Sequence, residues 1–562
     1  MTDGSTGGDG GPRLAVAEPA EAVAGWPQWI SPALRLNRGL DPLGLQTITL
    51  DRIMPVLLPG VLVLSERARL FSLYPFLLAE YQQLGAAATN AALSAFLKER
   101  EFDYAVAVQL CPNGCGEKSA GAVGAQRARP AGREAKAGAE VVARQESVKS
   151  FLGGYGLYYR SPLTDLGIVV PLGIPTQDGG ATPVDIVKPG GLGEHLAEAF
   201  RDAIAKTAYY RRHLRTVERG VPTSALRELA EAACLCRLPE HPAERKLLYQ
   251  AFFEPQDLNL VGACEQRRRS FALFLRELGH DGRVVDSNSA FRAAIWADFE
   301  QTLLTGEREG SPALANTLAQ WAALVAKEYL QETLYTLWWD FCRRGPATQP
   351  TDGFASAALD ELISAGLADA AMISGEGFAL AYQADMATRS FAQRVAQATA
   401  AVPLETLRGW AVDAGDAPAA LVLLFAMIGR LPEMTDVPVG WEEIGSQRSE
   451  RQPGLLHFVH YLQRHLEGEP TLAATLVWVV RRFVITAHEH AAYSKLPDFT
   501  FRFRVEAGRL RFYPGAPGRY GPADMRRAAM SSLAEDLGLW ERSDAGPRVT
   551  AKGADLLRET LA

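Results

Sequence analysis

Apolar residues in this chain recur every three to four positions far more often than they alternate, so helices dominate the prediction. Leu64, Ala68, Phe71, Leu73, Phe76, Leu77 and Tyr81 mark one such stripe, with Pro75 as the point where it kinks or splits. Thr89 or Asn90 is placed to cap a second helix reaching Arg100. From Thr223 to Cys342 the pattern is close to continuous helix, broken near Glu240, Asp257, Asp281 and Gly306. Its aromatic run, Trp321 to Phe341, reads as a central core helix. Helical patterns return over 354–431 and 455–493. Phe501, Phe503 and Val505 against Leu510 and Phe512, around Ala507-Gly508, predict a hairpin.

Two stretches share one order. Ser147–Tyr158 and Ser161–Leu166 read as helix, Ile168–Pro171 and Val184–Val187 as short strands, and Glu194–Tyr210 as a closing helix. Near the end, Asp524–Leu537 is helical, Leu539–Arg542 and Pro547–Thr550 pair, and Ala551–Leu561 closes. Both first helices finish on Asp-Leu-Gly plus an aliphatic residue, at Asp165–Ile168 and Asp536–Leu539. The order resembles a winged helix. The expected fold class is therefore mainly α: a multi-segment helical protein with two winged-helix-like modules and small β-hairpins. The segments expected are a disordered tail (1–25), an N-terminal helical region (26–111), a mobile basic loop (112–147) and a winged-helix-like module (148–220). A helical core (221–345), a helical region (346–440), a second with the hairpin (441–513) and the C-terminal winged-helix-like module (514–562) follow.

Length and composition narrow the class. The 562 residues, 48% of them apolar, bury several cores. A net charge of −7 leaves any nucleic-acid contact to a local basic patch. The longest apolar stretch, Ala417 to Gly429, is too short to span a bilayer and fits a buried helix. Six scattered cysteines and no export signal in the first residues lead us to expect a reduced, cytoplasmic protein.

No complete catalytic motif stands out. Gly114 to Ser119 has the wrong spacing for a phosphate loop. His488-Glu489 is followed by Ala492 where the helical zinc-protease pattern needs a second histidine. Asp185 to Lys188 lacks an upstream strand acid for a nuclease core. Five of the nine histidines fall between His457 and His490. His457 and His460 share a helical face, while His488 and His490 do not, so zinc held by two or three of them is a weaker alternative to histidines that cap or stack. Cys111-Pro112-Asn113-Gly114-Cys115 resembles half a zinc knuckle. The next cysteines, Cys234 and Cys236, are distant in sequence, which favours a lone turn. Zinc is thus not an expected cofactor, only a minor alternative.

The basic residues offer the better lead. Arg519, Arg526, Arg527, Arg542 and Arg548 surround the C-terminal module, and Lys149 and Arg160 the earlier one. Arginine pairs bidentately with phosphate, so DNA binding is expected as readily as protein docking.

Leu57-Leu58-Pro59-Gly60, followed by Ser65-Glu66-Arg67-Ala68-Arg69-Leu70-Phe71-Ser72-Leu73-Tyr74-Pro75-Phe76-Leu77, resembles a motif of a broad family of uncharacterised bacterial defence-island proteins. In that family a Pro-Gly turn leads to Arg-Ala-Arg-Tyr-Phe, and here Leu70 stands in the aromatic position. Gly121-Ala122-Val123-Gly124 followed by basic residues, Gly156 to Tyr159, the aromatic helix from Trp321 and Thr500 to Phe503 are similar as well. The resemblance implies an antiviral role beside partner proteins and makes Arg67 and Arg69 candidate functional residues. The alternative for both is that they pair with nearby acids and hold the helix. The expected function is a non-enzymatic DNA-binding or scaffold subunit of an anti-phage complex, recruiting a partner ATPase or nuclease. The alternatives are a metal-dependent hydrolase using His457, His460, His488 and His490, and a winged-helix transcriptional regulator.

Overall fold

The computed structural model describes residues 41–117, 122–175, 180–280, 285–305, 311–349, 351–367, 372–431, 439–449, 452–496, 499–515, 517–544 and 546–561. The tail expected over 1–25 lies outside them. The fold is mainly helical, with small two-stranded antiparallel sheets. No helix among the described residues is long and apolar enough to cross a membrane.

The first long helix, α1 (Leu70–Gln83), continues through Pro75 without splitting, and α2 (Asn90–Gln109) begins where Thr89 Oγ1 accepts the Ala92 amide at 3.3 Å. Next comes α3 (Ala125–Lys136), in a stretch that the sequence reads as loop. Its buried face is Ala128, Ala131, Gly132 and Ala135, packed on α2. That face carries no large apolar residue, so hydrophobic periodicity does not reveal it. Close approach makes it stable. A Cβ on Gly132 would stand 2.5 Å from the Gln109 side chain.

Strand β1 (Val141–Ala143) precedes α4 (Arg160–Asp165), and β2 (Val169–Val170) pairs antiparallel with β3 (Ile186–Val187). Helix α5 (Leu192–Ile204) follows, its buried stripe of Leu196, Ala197, Phe200 and Ile204 lying against α1. Strand β4 (Gly220–Pro222) then pairs with β1 and leads directly into α6 (Thr223–Ala233), α7 (Pro242–Phe253) and α8 (Val261–Gly279).

After α9 (Asn288–Thr305) stands the central element, α10 (Pro312–Thr348), of 37 residues. Ser311 caps it by accepting the Leu314 amide. Trp321, Tyr329, Tyr335 and Trp338 are all buried, as the aromatic run predicts. The helix continues to Thr348, beyond Cys342 where the helical pattern of the sequence stops. A buried helix still carries charged groups, and Lys327 is matched: its Nζ donates to Leu45 O (2.9 Å) and Thr49 Oγ1 (2.6 Å) and lies 3.2 Å from Glu328.

The second half comprises α11 (Ser356–Ala365), hairpin β5–β6 (Met372–Gly375, Phe378–Ala381), α12 (Thr388–Thr399), α13 (Leu404–Ala414) and α14 (Ala417–Ile428). The apolar α14 is buried against α10, α12 and α13. Then come α15 (Val439–Gly445), α16 (Leu455–Leu466), α17 (Leu472–Val479) and α18 (Thr486–Tyr493), the last two joined by a wider helical turn over 480–485. Hairpin β7–β8 (Phe503–Glu506, Arg509–Phe512) aligns Phe503 with Phe512 and Val505 with Leu510. Both turn residues are left-handed, Ala507 at φ 50° and Gly508 at φ 76°, as a tight hairpin of this twist requires. The chain ends with α19 (Arg527–Leu537), β9–β10 (Trp540–Ser543, Gly546–Val549) and α20 (Ala551–Leu561). The element order matches expectation. These last elements pack on α7 and α8.

Candidate metal centre

Helices α2 and α6 end at the same place. Tyr104 of α2 donates its hydroxyl to the carbonyl of Ala233, the last residue of α6, at 2.8 Å. Beyond each end the chain leaves helical geometry. Pro112 and the left-handed Gly114 (φ 70°) turn the first segment, and Cys234 adopts extended backbone (ψ 153°) in the second. These breaks aim Cys111, Cys115, Cys234 and Cys236 at one point. Their four sulfurs lie within 4.8 Å of one another. Cys111 and Cys236, 125 positions apart in sequence, bring their Sγ atoms to 3.6 Å. A tetrahedral zinc with bonds of about 2.3 Å spaces its sulfurs by roughly 3.8 Å, so the quartet suits one ion.

The electrostatics agree. Burial pushes the Cys115 thiol up to about 11, with the neighbouring thiols of Cys236 and Cys111 adding to it. Burial also drives Cys234 well above the ordinary thiol range. Cys111 goes the other way. Burial opposes its ionisation, but the Asn113 backbone amide and the other three thiols outweigh it. Sulfurs this close cannot all ionise unless a cation stands among them. Two helix C-termini, each with partial negative charge, favour a cation further. Asn113 Nδ2 donates to Cys236 Sγ at 3.4 Å, a contact that suits a thiolate.

The Arg-Ala-Arg motif braces this centre. Arg69, fully buried, donates to the Cys234 carbonyl at 2.9 Å and to Glu244 at 3.0 Å. Ser72 donates to the other Glu244 oxygen at 2.5 Å. Arg67 grips Asp536 with two hydrogen bonds of 2.9 and 2.8 Å, and the Ala68 amide adds a third. The motif therefore ties α1 to the Cys234 segment, to α7 and to the Asp-Leu-Gly at the end of α19. The nearby acids suggested by sequence are not the partners: Glu80 pairs with Arg201 and Arg215 instead.

The arginines singled out for DNA face varied surroundings. Arg526 is buried at φ 57°, with its guanidinium against the Leu58 and Val61 carbonyls, and burial lowers its pKa to about 10. Arg527 donates to Val285 O at 3.0 Å. Arg519 lies on the Trp339 ring, 4.4 Å from its centroid, and donates to Val412 O. Arg160 makes a bidentate pair with Asp185. Arg542 and Arg548 do reach solvent, but each sits beside an acid, Glu535 and Glu541 respectively. Lys149 is exposed.

The histidines do not gather. Among the described residues only the four cysteines bring three or more ligand-type side chains together. Both His488 ring nitrogens are engaged: Nδ1 donates to Pro42 O at 3.0 Å, and Nε2 accepts the Arg502 amide at 2.9 Å. His460 and His490 are exposed, and His457 lines a separate cleft. Glu489 accepts the Val505 amide at 2.5 Å, which makes it a brace for the hairpin.

Burial lowers the His488 pKa to about 4, against 6.5 for a free imidazole. Between those values the unfolded chain takes up a proton that the folded chain refuses. Stability should therefore be full above pH 6.5 and fall by up to ~3 kcal/mol as pH drops toward 4. Denaturation midpoints measured from pH 7 to 4.5 check this. The slope should flatten in His488→Gln, and an unchanged slope would contradict the assignment.

Sequence reasoning missed the pairing of the two cysteine segments. The available signal was two closely spaced cysteine pairs, Cys111 with Cys115 and Cys234 with Cys236. Compared with protein-family models, curated proteins and solved structures, the chain finds no match.

Proposed function

We propose that this chain is a non-enzymatic scaffold subunit, stapled by one structural zinc ion, that docks DNA or partner proteins. The observation carrying this reading is the cysteine quartet. Four protein thiolates complete a tetrahedral shell and leave no position for water or substrate, which is the pattern of structural rather than catalytic zinc. The Arg67 and Arg69 contacts support the same reading, because both side chains are spent on internal ties.

The antiviral setting, with a partner ATPase or nuclease, follows from the resemblance of the Arg-Ala-Arg segment. We read the helix–hairpin–helix orders at 148–220 and 514–562 as winged-helix-like docking modules. DNA contact then falls to the side chains that reach solvent: Lys149 at the first module, and Arg542 and Arg548 on the C-terminal hairpin, which are 79% and 71% exposed.

Two measurements test the proposal. Elemental analysis of protein purified without added metal should find about one zinc per chain. Duplex-DNA anisotropy across a salt series should show binding that weakens with salt, with a slope reduced by roughly one to two in Arg542→Glu/Arg548→Glu. A chain without zinc overturns the staple. Absence of DNA binding at low salt overturns the DNA half and leaves protein docking, read by co-purification with neighbouring gene products.

A further inference from the structure

A cleft of about 440 Å³ opens between the turn before α16, α16 itself and the helical stretch leading into α18. Its lining includes Arg448, Gln452, His457, Tyr461, Arg482 and Thr486. Among the described residues no carboxylate lines it, in a chain with 65 acidic and 58 basic residues. Most arginines described above are held by a carboxylate. Arg448 and Arg482 have no ion-pair partner among the described residues. The Arg482 guanidinium instead sits over the Tyr461 ring, 4.4 Å from its centroid. An arginine stacked on an aromatic keeps its in-plane N–H groups free for an anion.

His457 adds an independent sign. Its Nδ1 is shielded from solvent yet has no hydrogen-bond partner. Such an atom is costly unless something polar reaches it. Burial, with Arg448 and His460 nearby, lowers the pKa of this imidazole, so near neutral pH it offers one donor and one acceptor.

We propose that this cleft binds a small phosphate ester, with Arg448 and Arg482 on the phosphate and the His457 imidazole hydrogen-bonding to it or to the attached body. The volume sits within the roughly 300–1,000 Å³ of pockets that enclose whole small molecules, so inorganic phosphate alone would leave most of it unfilled. Two guanidinium groups on one cleft, with no carboxylate among its described lining residues, favour a dianion over a neutral sugar or base. The cleft is built from other elements than the cysteine quartet and does not depend on the zinc reading.

The test is thermal denaturation and calorimetric titration of the full chain with ribose 5-phosphate and AMP, set against ribose and adenosine. Both phosphate esters should raise the melting temperature and bind with Kd below about 1 mM, while the unphosphorylated pair should not. Arg448→Ala and Arg482→Ala should each weaken binding about tenfold or more and leave the melting temperature of the free protein within a degree or so, because neither is a structural tie. His457→Ala should weaken it less. Silence of both esters at about 10 mM overturns the proposal, as does undiminished binding in the arginine variants. Binding of a single-stranded oligonucleotide with no response to the monoesters also overturns it, by assigning the cleft to a nucleic-acid strand.

Discussion

Replacing Glu244 by leucine should cost about 3–5 kcal/mol, the largest loss expected from any single charged side chain here. The reason is Arg69. Its side chain is fully buried, and its remaining contact of note is one backbone carbonyl. Without Glu244 it carries an uncompensated charge in the core, while Ser72 keeps only the Arg69 carbonyl as its acceptor. Such a loss takes much of the 5–15 kcal/mol that holds a typical domain together. Chemical denaturation, or soluble yield if the variant does not fold, reads it. The double variant Arg69→Met/Glu244→Leu should recover a large part of the loss, since a buried ion pair is worth little more than apolar residues of similar volume. A single-variant cost under about 1 kcal/mol would show that water reaches this pair.

Cys234→Ser should empty the metal centre, with zinc falling from about one per chain to near none. Serine supplies no thiolate, and three remaining cysteines hold the ion far less tightly. On the proposed zinc reading the consequence extends to folding, because the ion would join the ends of α2 and α6, and a site that exists only in the folded chain turns binding energy into folding energy. A drop of several kcal/mol in stability is expected, with protease cleavage appearing in the Cys111–Glu117 turn. Cys264→Ser serves as the control, being buried outside the quartet. It should retain zinc and lose only packing energy. If Cys234→Ser keeps its zinc, the four-thiolate assignment is wrong.

These expectations differ from those that the sequence invites, and the arginines show why. Arg526 and Arg527 stand at the start of an amphipathic helix, where a recognition helix would place cations. A left-handed residue at the helix entry turns Arg526 inward instead, onto two carbonyls at residues 58 and 61. Nothing in a one-dimensional pattern separates a guanidinium that reaches solvent from one that closes a loop more than four hundred residues away. The same holds for Arg67, whose partner Asp536 lies in the last helix–hairpin segment.

Local order was legible where the code is local. Periodicity placed α1, an aromatic run marked α10 and an apolar stretch α14, while Thr89 marked a helix start and Ala507-Gly508 a hairpin, because each depends on neighbours within a few residues. The helix α3 escaped because its buried face is made of alanine and glycine, whose value lies in close approach and not in hydrophobicity. The candidate site escaped for a related reason. Sequence by itself determined the helical class and the first cysteine turn, at Cys111 to Cys115. Only tertiary packing decided that this turn meets Cys234 and Cys236, since sequence separation carries no distance and the Tyr104–Ala233 contact holds α2 against the end of α6.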